Sequence, residues 1–264
     1  MPDPPRIPRV LSIAGSDSGG GAGIQADLKA FAACGVHGMT AITAITAQNT
    51  TGVSAVHTVP GEIVLEQVRA VSDDIGVDAV KIGMLGTVST IEAVAAALEL
   101  LPADTPVVLD PVMVAESGAR LLDPEAQASL HSLLLPRATV ATPNIPEARA
   151  LAGSDAEPED LARRVHALGP RYVVVTGGHR EQPVDLFFDG AQVVEIPGER
   201  YPSGAAHGSG CTHSSVLAAR LAWGDEPLAA ARTAHELASR AVKQGLTEIG
   251  EGPGPVDVLG LRPC

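Results

Sequence analysis

Short β-branched runs alternate with longer alanine- and leucine-rich segments along the whole chain, and this alternation narrows the possible folds more than any other feature. Buried strands are expected at 10–14, 39–46, 53–59, 79–82, 107–109, 138–141 and 172–175. Helices are expected at 24–34, 60–75, 89–101, 124–135, 146–152, 158–168, 211–223 and 227–244. Near-continuous apolar strands separated by helices require an α/β chain with a mostly parallel sheet covered on both faces. Asp189-Gly190, between 184–188 and 192–196, signals a hairpin that adds antiparallel strands at one edge. No linker or repeat interrupts the pattern, so residues 9–264 read as one domain behind a proline-rich tail at 1–8 that is expected to be disordered.

In open α/β sheets, ligands bind beyond the carboxyl ends of the strands. The glycine-rich and polar insertions fall there: after Ala14, Thr46, Ile82, Leu109, Ala141 and Thr176, and before Cys211. A formal net charge of −13 is opposite to the basic footprint of a nucleic-acid-binding protein. Aromatics at 2% also leave few platforms for stacking bases. Three widely spaced cysteines, Cys34, Cys211 and Cys264, form no disulfide framework and fit a reducing cytoplasm. Neither a signal peptide nor a membrane span is expected.

The segment with most chemistry is His207-Gly208-Ser209-Gly210-Cys211-Thr212-His213, just ahead of an alanine-rich helix. Its glycines let backbone N–H groups converge at a helix start, where unpartnered amides and the helix dipole bind anions. The same field is expected to favour a thiolate at Cys211. No second Cys/His pair lies near His207, Cys211 and His213 to complete a zinc site. A second flexible loop, Gly15 to Gly23, matches neither the Walker nor the dinucleotide fingerprint, so it is read only as backbone able to approach a ligand closely. Asp27 lies one turn into the next helix and is expected at the pocket mouth, or else as a first-turn acid favoured by the dipole.

Gln48 and Asn49 end the second strand; an amide, both donor and acceptor, suits the edge of an aminopyrimidine or amide ring, although a turn role is the commoner one. Met84, between two glycines, offers an adaptable wall for a flat ring or simple core filling. Asp110, Asn144 and Glu147 end neighbouring strands, and their oxygens suit Mg²⁺, which keeps waters and bridges to phosphates. Thr176-Gly177-Gly178-His179 adds another anion-compatible turn.

These segments together resemble the ribokinase-like superfamily, and within it the hydroxymethylpyrimidine/phosphomethylpyrimidine kinases of thiamine biosynthesis. The resemblance rests on AGSDSGGGAGIQADLK (14–29), TAQNTTGV (46–53), KIGMLG (81–86), LDPVM (109–113), TPNIPEA (142–148), TGGH (176–179) and HGSGCT (207–212). It implies a three-layer α/β/α sandwich, commonly a homodimer, without a separate lid domain. It also implies ATP and Mg²⁺ as cofactors, and two successive transfers, to 4-amino-5-hydroxymethyl-2-methylpyrimidine and then to its monophosphate.

On that resemblance Gly15, Asp27, Gln48, Met84, Val112 and His207 are substrate-binding. Asp110, Asn144, Glu147, Thr176, Gly178 and Ser209 are nucleotide-binding, with Asp110 and Glu147 near the metal. Gly208 and Gly210 form the anion hole, and Cys211 is the base for the alcohol. Thr176 departs from the pattern, since related kinases often carry lysine there, and 203–206 replaces a more polar run. Two other readings stand beside this one: a pyridoxal or pyridoxine kinase of the same superfamily, and a pyrimidine-binding protein without catalysis.

Overall fold

Alternate residues of the central strands go to opposite layers, and this sorts the core into two halves. The computed structural model describes residues 6–115, 118, 120–177, 183–201 and 205–261. The strands are β1 (Arg9–Asp17), β2 (His37–Asn49), β3 (Gly52–Thr58), β4 (Ala79–Ile82), β5 (Val107–Leu109), β6 (Val140–Ala141), β7 (Tyr172–Val175), β8 (Val184–Phe188) and β9 (Val193–Pro197). The helices are α1 (Gly23–Ala33), α2 (Gly61–Asp74), α3 (Val88–Leu98), α4 (Ala126–Ser129), α5 (Ile145–Ala152), α6 (Pro158–His166), α7 (Ser209–Ala222) and α8 (Pro227–Lys243).

Leu11, Val80, Leu109, Ala141 and Val173 face the layer of α2 to α6. Their neighbours Val10, Ala79, Val108, Val140 and Val174 face the layer of α1, α7 and α8. A single sheet in the order β3-β2-β1-β4-β5-β6-β7-β8-β9 lies between them, so the three-layer α/β/α architecture holds. Its middle six strands are parallel, and no described helix is long and apolar enough to cross a membrane.

Antiparallel strands close both edges rather than one, because β3 folds back on β2 as β8 and β9 do beyond β7. Two boundaries also differ from expectation. Residues 1–5 of the tail lie outside the described residues, but Pro8 is buried and its carbonyl accepts from His37 N–H at 2.8 Å, so order begins before residue 9. The single helix expected at 124–135 is broken: α4 passes into a widened turn at Leu130–Leu134 and a 3₁₀ turn at Leu135–Arg137. Pro136 lacks the N–H that a continuing α-helix would need.

β1 neighbours both β2 and β4, so chain connections diverge on either side of it and leave a crevice at their carboxyl ends. Beneath that crevice the layer of α1 and α7 is polar. Ser12 of β1 pairs in register with Lys81 of β4, and both are fully buried. Lys81 Nζ lies 2.9 Å from Asp27 Oδ1 of α1, with neither side chain exposed at all. Ser12 donates to Asp27 Oδ2 at 2.6 Å, and Ser215 of α7 donates to Oδ1 at 2.7 Å.

Removing one partner from a buried ion pair strands the other charge away from water, whereas replacing both is often neutral. Lys81→Met is therefore expected to cost about 3–5 kcal/mol in urea unfolding, and Lys81→Met with Asp27→Leu to recover much of that. A loss below about 1 kcal/mol for the single variant would show that the pair is not fully desolvated.

Candidate active site

β1 runs three residues past its predicted end, and between Ala14 and Ser16 its pairing shifts register because β2 carries an extra residue there, Thr43 and Ala44 standing opposite Gly15 alone. An extra residue of this kind bends a strand and re-aims the side chains beyond it. Gly15 is buried under Met84: a Cβ there would stand 3.1 Å from the Met84 sulfur. Asp17 then gathers the loop. Its Oδ1 accepts Gly19 N–H at 2.8 Å, and Oδ2 accepts those of Gly21 and Ala22 at 3.1 and 2.8 Å. His207 Nε2 lies 3.1 Å from the same Oδ2. Burial alone would raise the Asp17 pKa, but His207 and these amides outweigh it and hold the carboxyl below its ordinary value.

Gly208 is the N-cap of α7 with φ +82°, and a Cβ on it would run into the Gly21 carbonyl. Only glycine permits both that dihedral and that approach. The first and last glycine loops therefore meet backbone to backbone. Beyond the cap, Ser209 N–H is used by the Ala206 carbonyl and Thr212 N–H by that of Gly208. Between them, the N–H groups of Gly210 and Cys211 have no acceptor among the described residues. Gly210 is exposed, and a Cβ on it would meet nothing within 4 Å. Two amides at the positive end of a 14-residue helix thus have no acceptor among the described residues, an arrangement suited to an anion.

The expected thiolate at Cys211 is corrected by its surroundings. Burial pushes the thiol up to about 12, against the pull of Lys81 and of the Gly23 N–H, while Asp27 and Asp110 push it further. Loss of hydration outweighs the favourable field of the helix end, so Cys211 keeps its proton at neutral pH in the ligand-free protein.

Asp110, just past β5, is buried and accepts from Ser214 Oγ of α7 at 3.0 Å. Glu147 of α5 is buried in a reciprocal cap: Asn144 Oδ1 accepts Glu147 N–H at 2.9 Å, and Glu147 Oε2 accepts Asn144 N–H at 3.0 Å. Met113 N–H points at Glu147 Oε1 across 3.4 Å, which brings the Asp110 loop to this cap. Burial raises the Asp110 pKa despite Lys81 and the Ser214 hydrogen bond. Burial and the charge of Asp110 push Glu147 up to about 8. Two mutually repelling carboxyls mark a place short of positive charge. They fit Mg²⁺, which is commonly held by one or two carboxylates, waters and substrate phosphates. Thr176, at the end of β7, bridges to Asn144, and its N–H donates to the Pro143 carbonyl at 2.9 Å. Gly178 and His179 lie outside the described residues, as do 203–204 of the departing run.

Gln48, half-buried, lines a cleft of about 410 Å³ with Ser18, Asn49 and Val53, between the first loop and the β2–β3 turn. Its Oε1 accepts from Thr46 Oγ1 at 3.2 Å. Asn49 takes the turn role, accepting from Thr51 and Gly52 N–H. Met84 is half-buried beside Gly15, and half-buried Val112 comes just after the β5 end, its N–H donating to the Asp110 carbonyl at 2.8 Å.

Two expected substrate contacts lie elsewhere. Asp27 is not at a pocket mouth: it is wholly buried, with both oxygens taken by Lys81, Ser12 and Ser215. His207 turns its Nε2 to Asp17 and fills the space beside Gly21, so it braces the loops rather than facing the cleft.

Sequence reasoning gave no role to Lys81, Asp17 or Ser214. Lys81 had a legible signal, since a lysine inside a four-residue strand that is otherwise apolar needs a buried counter-ion. Asp17 and Ser214 had none, because their partners are distant in sequence or are backbone amides.

An amide socket beside a patch short of cations is equipment for moving a phosphoryl group. With this fold it defines the protein as a small-molecule kinase, a phosphotransferase. The family model described as phosphomethylpyrimidine kinase matches residues 17–257, and the chain belongs to that family. It is 49% identical over 254 residues to the hydroxymethylpyrimidine/phosphomethylpyrimidine kinase of Rhizobium meliloti (strain 1021), covering 93% of this chain and 95% of that one. Among solved structures, it matches Bacillus subtilis pyridoxal kinase in its ADP complex with a TM-score of 0.86 and 39% identity, over 96% of this chain and 97% of that one. It also matches the phosphomethylpyrimidine kinase of Clostridium difficile 630 with a TM-score of 0.78 and 40% identity, over 90% of this chain and 100% of that one.

Glu147 has a folded pKa of about 8, above its ordinary 4.5, so the folded protein retains a proton that the unfolded chain has released. Its contribution to stability is full below the lower value and is lost as pH rises through the higher. Glu147→Gln cannot ionise. In thermal melts without ligand its Tm is expected to gain on wild type between pH 5 and pH 8, by about 2–4 °C for each kcal/mol. Adding Mg²⁺ is expected to narrow the gap at pH 8 by stabilising the ionised wild type. A gap independent of pH would contradict the shifted carboxyl.

Proposed function

We propose that the protein transfers the γ-phosphoryl group of ATP to the hydroxymethyl oxygen of 4-amino-5-hydroxymethyl-2-methylpyrimidine, and then a second one to the monophosphate, in thiamine biosynthesis. The observation that carries this reading is the pair of amides at Gly210 and Cys211 without acceptors among the described residues, at the start of a helix whose glycine cap packs on the Gly15–Gly23 loop. In each step the acceptor oxygen bonds to the γ-phosphorus, and the bond to the bridging oxygen of ADP breaks. The first acceptor also releases its hydroxyl proton, which passes to water or to the oxygens of the transferred phosphoryl group, since the Cys211 thiol already holds one.

Gln48 would pair with the amino-pyrimidine edge, with Met84 and Val112 against the ring. Gly210 and Cys211 N–H groups would hold the charge spread over the transferring phosphoryl oxygens. Asn144 and Thr176 would face the nucleotide, with Ser209 and Gly178 in the neighbouring loops. Asp110 and Glu147 would hold Mg²⁺, partly through water; once bound, the ion neutralises phosphate charge. The protein would work in the cytoplasm, as a homodimer.

A protonated Cys211 changes the expected part of this residue. Phosphoryl transfer has a loose transition state with little need for early deprotonation of the acceptor. The thiol therefore shapes the socket in both steps, rather than serving as a base in the first alone.

A second reading, pyridoxal kinase, is favoured by the match to the Bacillus subtilis enzyme of that name. Turnover of the two ring alcohols side by side separates the readings, and the amide edge at Gln48 favours the aminopyrimidine.

The test is a coupled ADP-release assay with the pyrimidine alcohol and its monophosphate, each as sole acceptor. Turnover of both is expected, and binding of either without ADP release would leave only a binding protein. Cys211→Ala is expected to lower kcat by similar factors in the two reactions. A loss confined to the alcohol would restore Cys211 as a base.

A further inference from the structure

Three titratable side chains meet where β8, α7 and α8 pack, and the transfer chemistry uses none of them. Asp185 of β8 is buried, and its Oδ1 accepts Gly177 N–H at 2.9 Å. Its Oδ2 lies 2.8 Å from His235 Nδ1 of α8 and 3.5 Å from His213 Nε2 of α7. A carboxylate only accepts, so His235 Nδ1 carries the proton of that hydrogen bond. The ring nitrogens of His213 make no hydrogen bond among the described residues.

The geometry couples two loops through one side chain. Gly177 comes after Thr176 at the end of β7, and a Cβ on Gly177 would strike the Val184 carbonyl. His213 stands two residues beyond Cys211, in the opening turns of α7. One buried carboxylate therefore touches the turn after β7, the helix that carries the open amides, and the helix packed behind it. A buried charge with few partners is costly, so it fixes in place the groups that compensate it.

We propose that Asp185 is a positioning residue for the nucleotide: with His213 and His235 it holds the Thr176–Gly177 turn in fixed register with the first turn of α7. This rests on the kinase reading, in which those two pieces line the phosphates of ATP. Slack between them weakens nucleotide binding while Gln48 and Met84, carried by β2 and by the segment after β4, keep their places.

The test compares KM for ATP with KM for the pyrimidine alcohol, and measures ADP affinity by calorimetry. Asp185→Ala leaves the Gly177 amide without its acceptor and is expected to raise KM for ATP and Kd for ADP about tenfold, with KM for the alcohol moved less than about threefold. Asp185→Asn, whose amide oxygen still accepts from Gly177, is expected to recover most of the loss. An unchanged KM for ATP in folded Asp185→Ala, or equal weakening of both substrates, overturns the proposal. If Asp185→Ala does not fold, His235→Ala decides: a rise in KM for ATP alone supports the proposal, and no rise overturns it. Wild-type protein that binds no ADP would sink the kinase reading itself, and this inference with it.

Discussion

A charge pair with no access to water lies under the crevice, and the site above depends on it. Lys81 and Asp27 come from β4 and α1, 54 residues apart, and each is tolerable in the interior only because of the other. Burial alone would lower the Lys81 pKa, but the charge of Asp27, with that of Asp110, outweighs it and holds the ammonium above its ordinary value. The permanent cation below the socket therefore comes from the sheet itself. Asp27 also takes hydroxyls from Ser12 and Ser215, so one carboxylate joins β1, β4, α1 and α7. Apolar substitutes at these positions would fill the same volume but remove the carboxylate that ties β1, β4, α1 and α7 together.

On this base the site is built mainly from backbone. Asp17 commits its carboxylate to amides and to His207, and so shapes a loop made largely of glycine. Glycines at 21 and 208 let that loop touch the start of α7. The result is a rigid platform with two amides unused, which suits a reaction that needs positioning and charge neutralisation more than covalent help. The carboxyl side is built oppositely: Asp110 and Glu147 are crowded and short of positive charge, which makes the ligand-free site incomplete by construction.

The layers and most elements were legible in the sequence, because the strands alternate between two apolar layers and the helices carry clear ends. The second antiparallel edge was not, since β3 reads like any short strand and its direction depends on the tight turn at Asn49. The glycine cap with two amides lacking acceptors after it was legible from spacing, because it is a local property. Asp27, His207 and the Cys211 thiolate were misjudged for a shared reason. A side chain near a pocket in sequence can be aimed at a distant partner, and burial decides both its direction and its charge. Lys81 carried a readable signal, but its partner lay far away in the chain.

The central claim is that Gly210 and Cys211 N–H receive the phosphoryl group in flight. The most direct measurement is a crystal structure with ADP, Mg²⁺, aluminium fluoride and the pyrimidine alcohol, in which the planar fluoride stands for the transferring group. The account predicts fluorine atoms about 2.7–3.1 Å from both amide nitrogens, with the ring alcohol in line on the far side. A fluoride lodged elsewhere in the crevice, with those two amides still facing solvent, would contradict it.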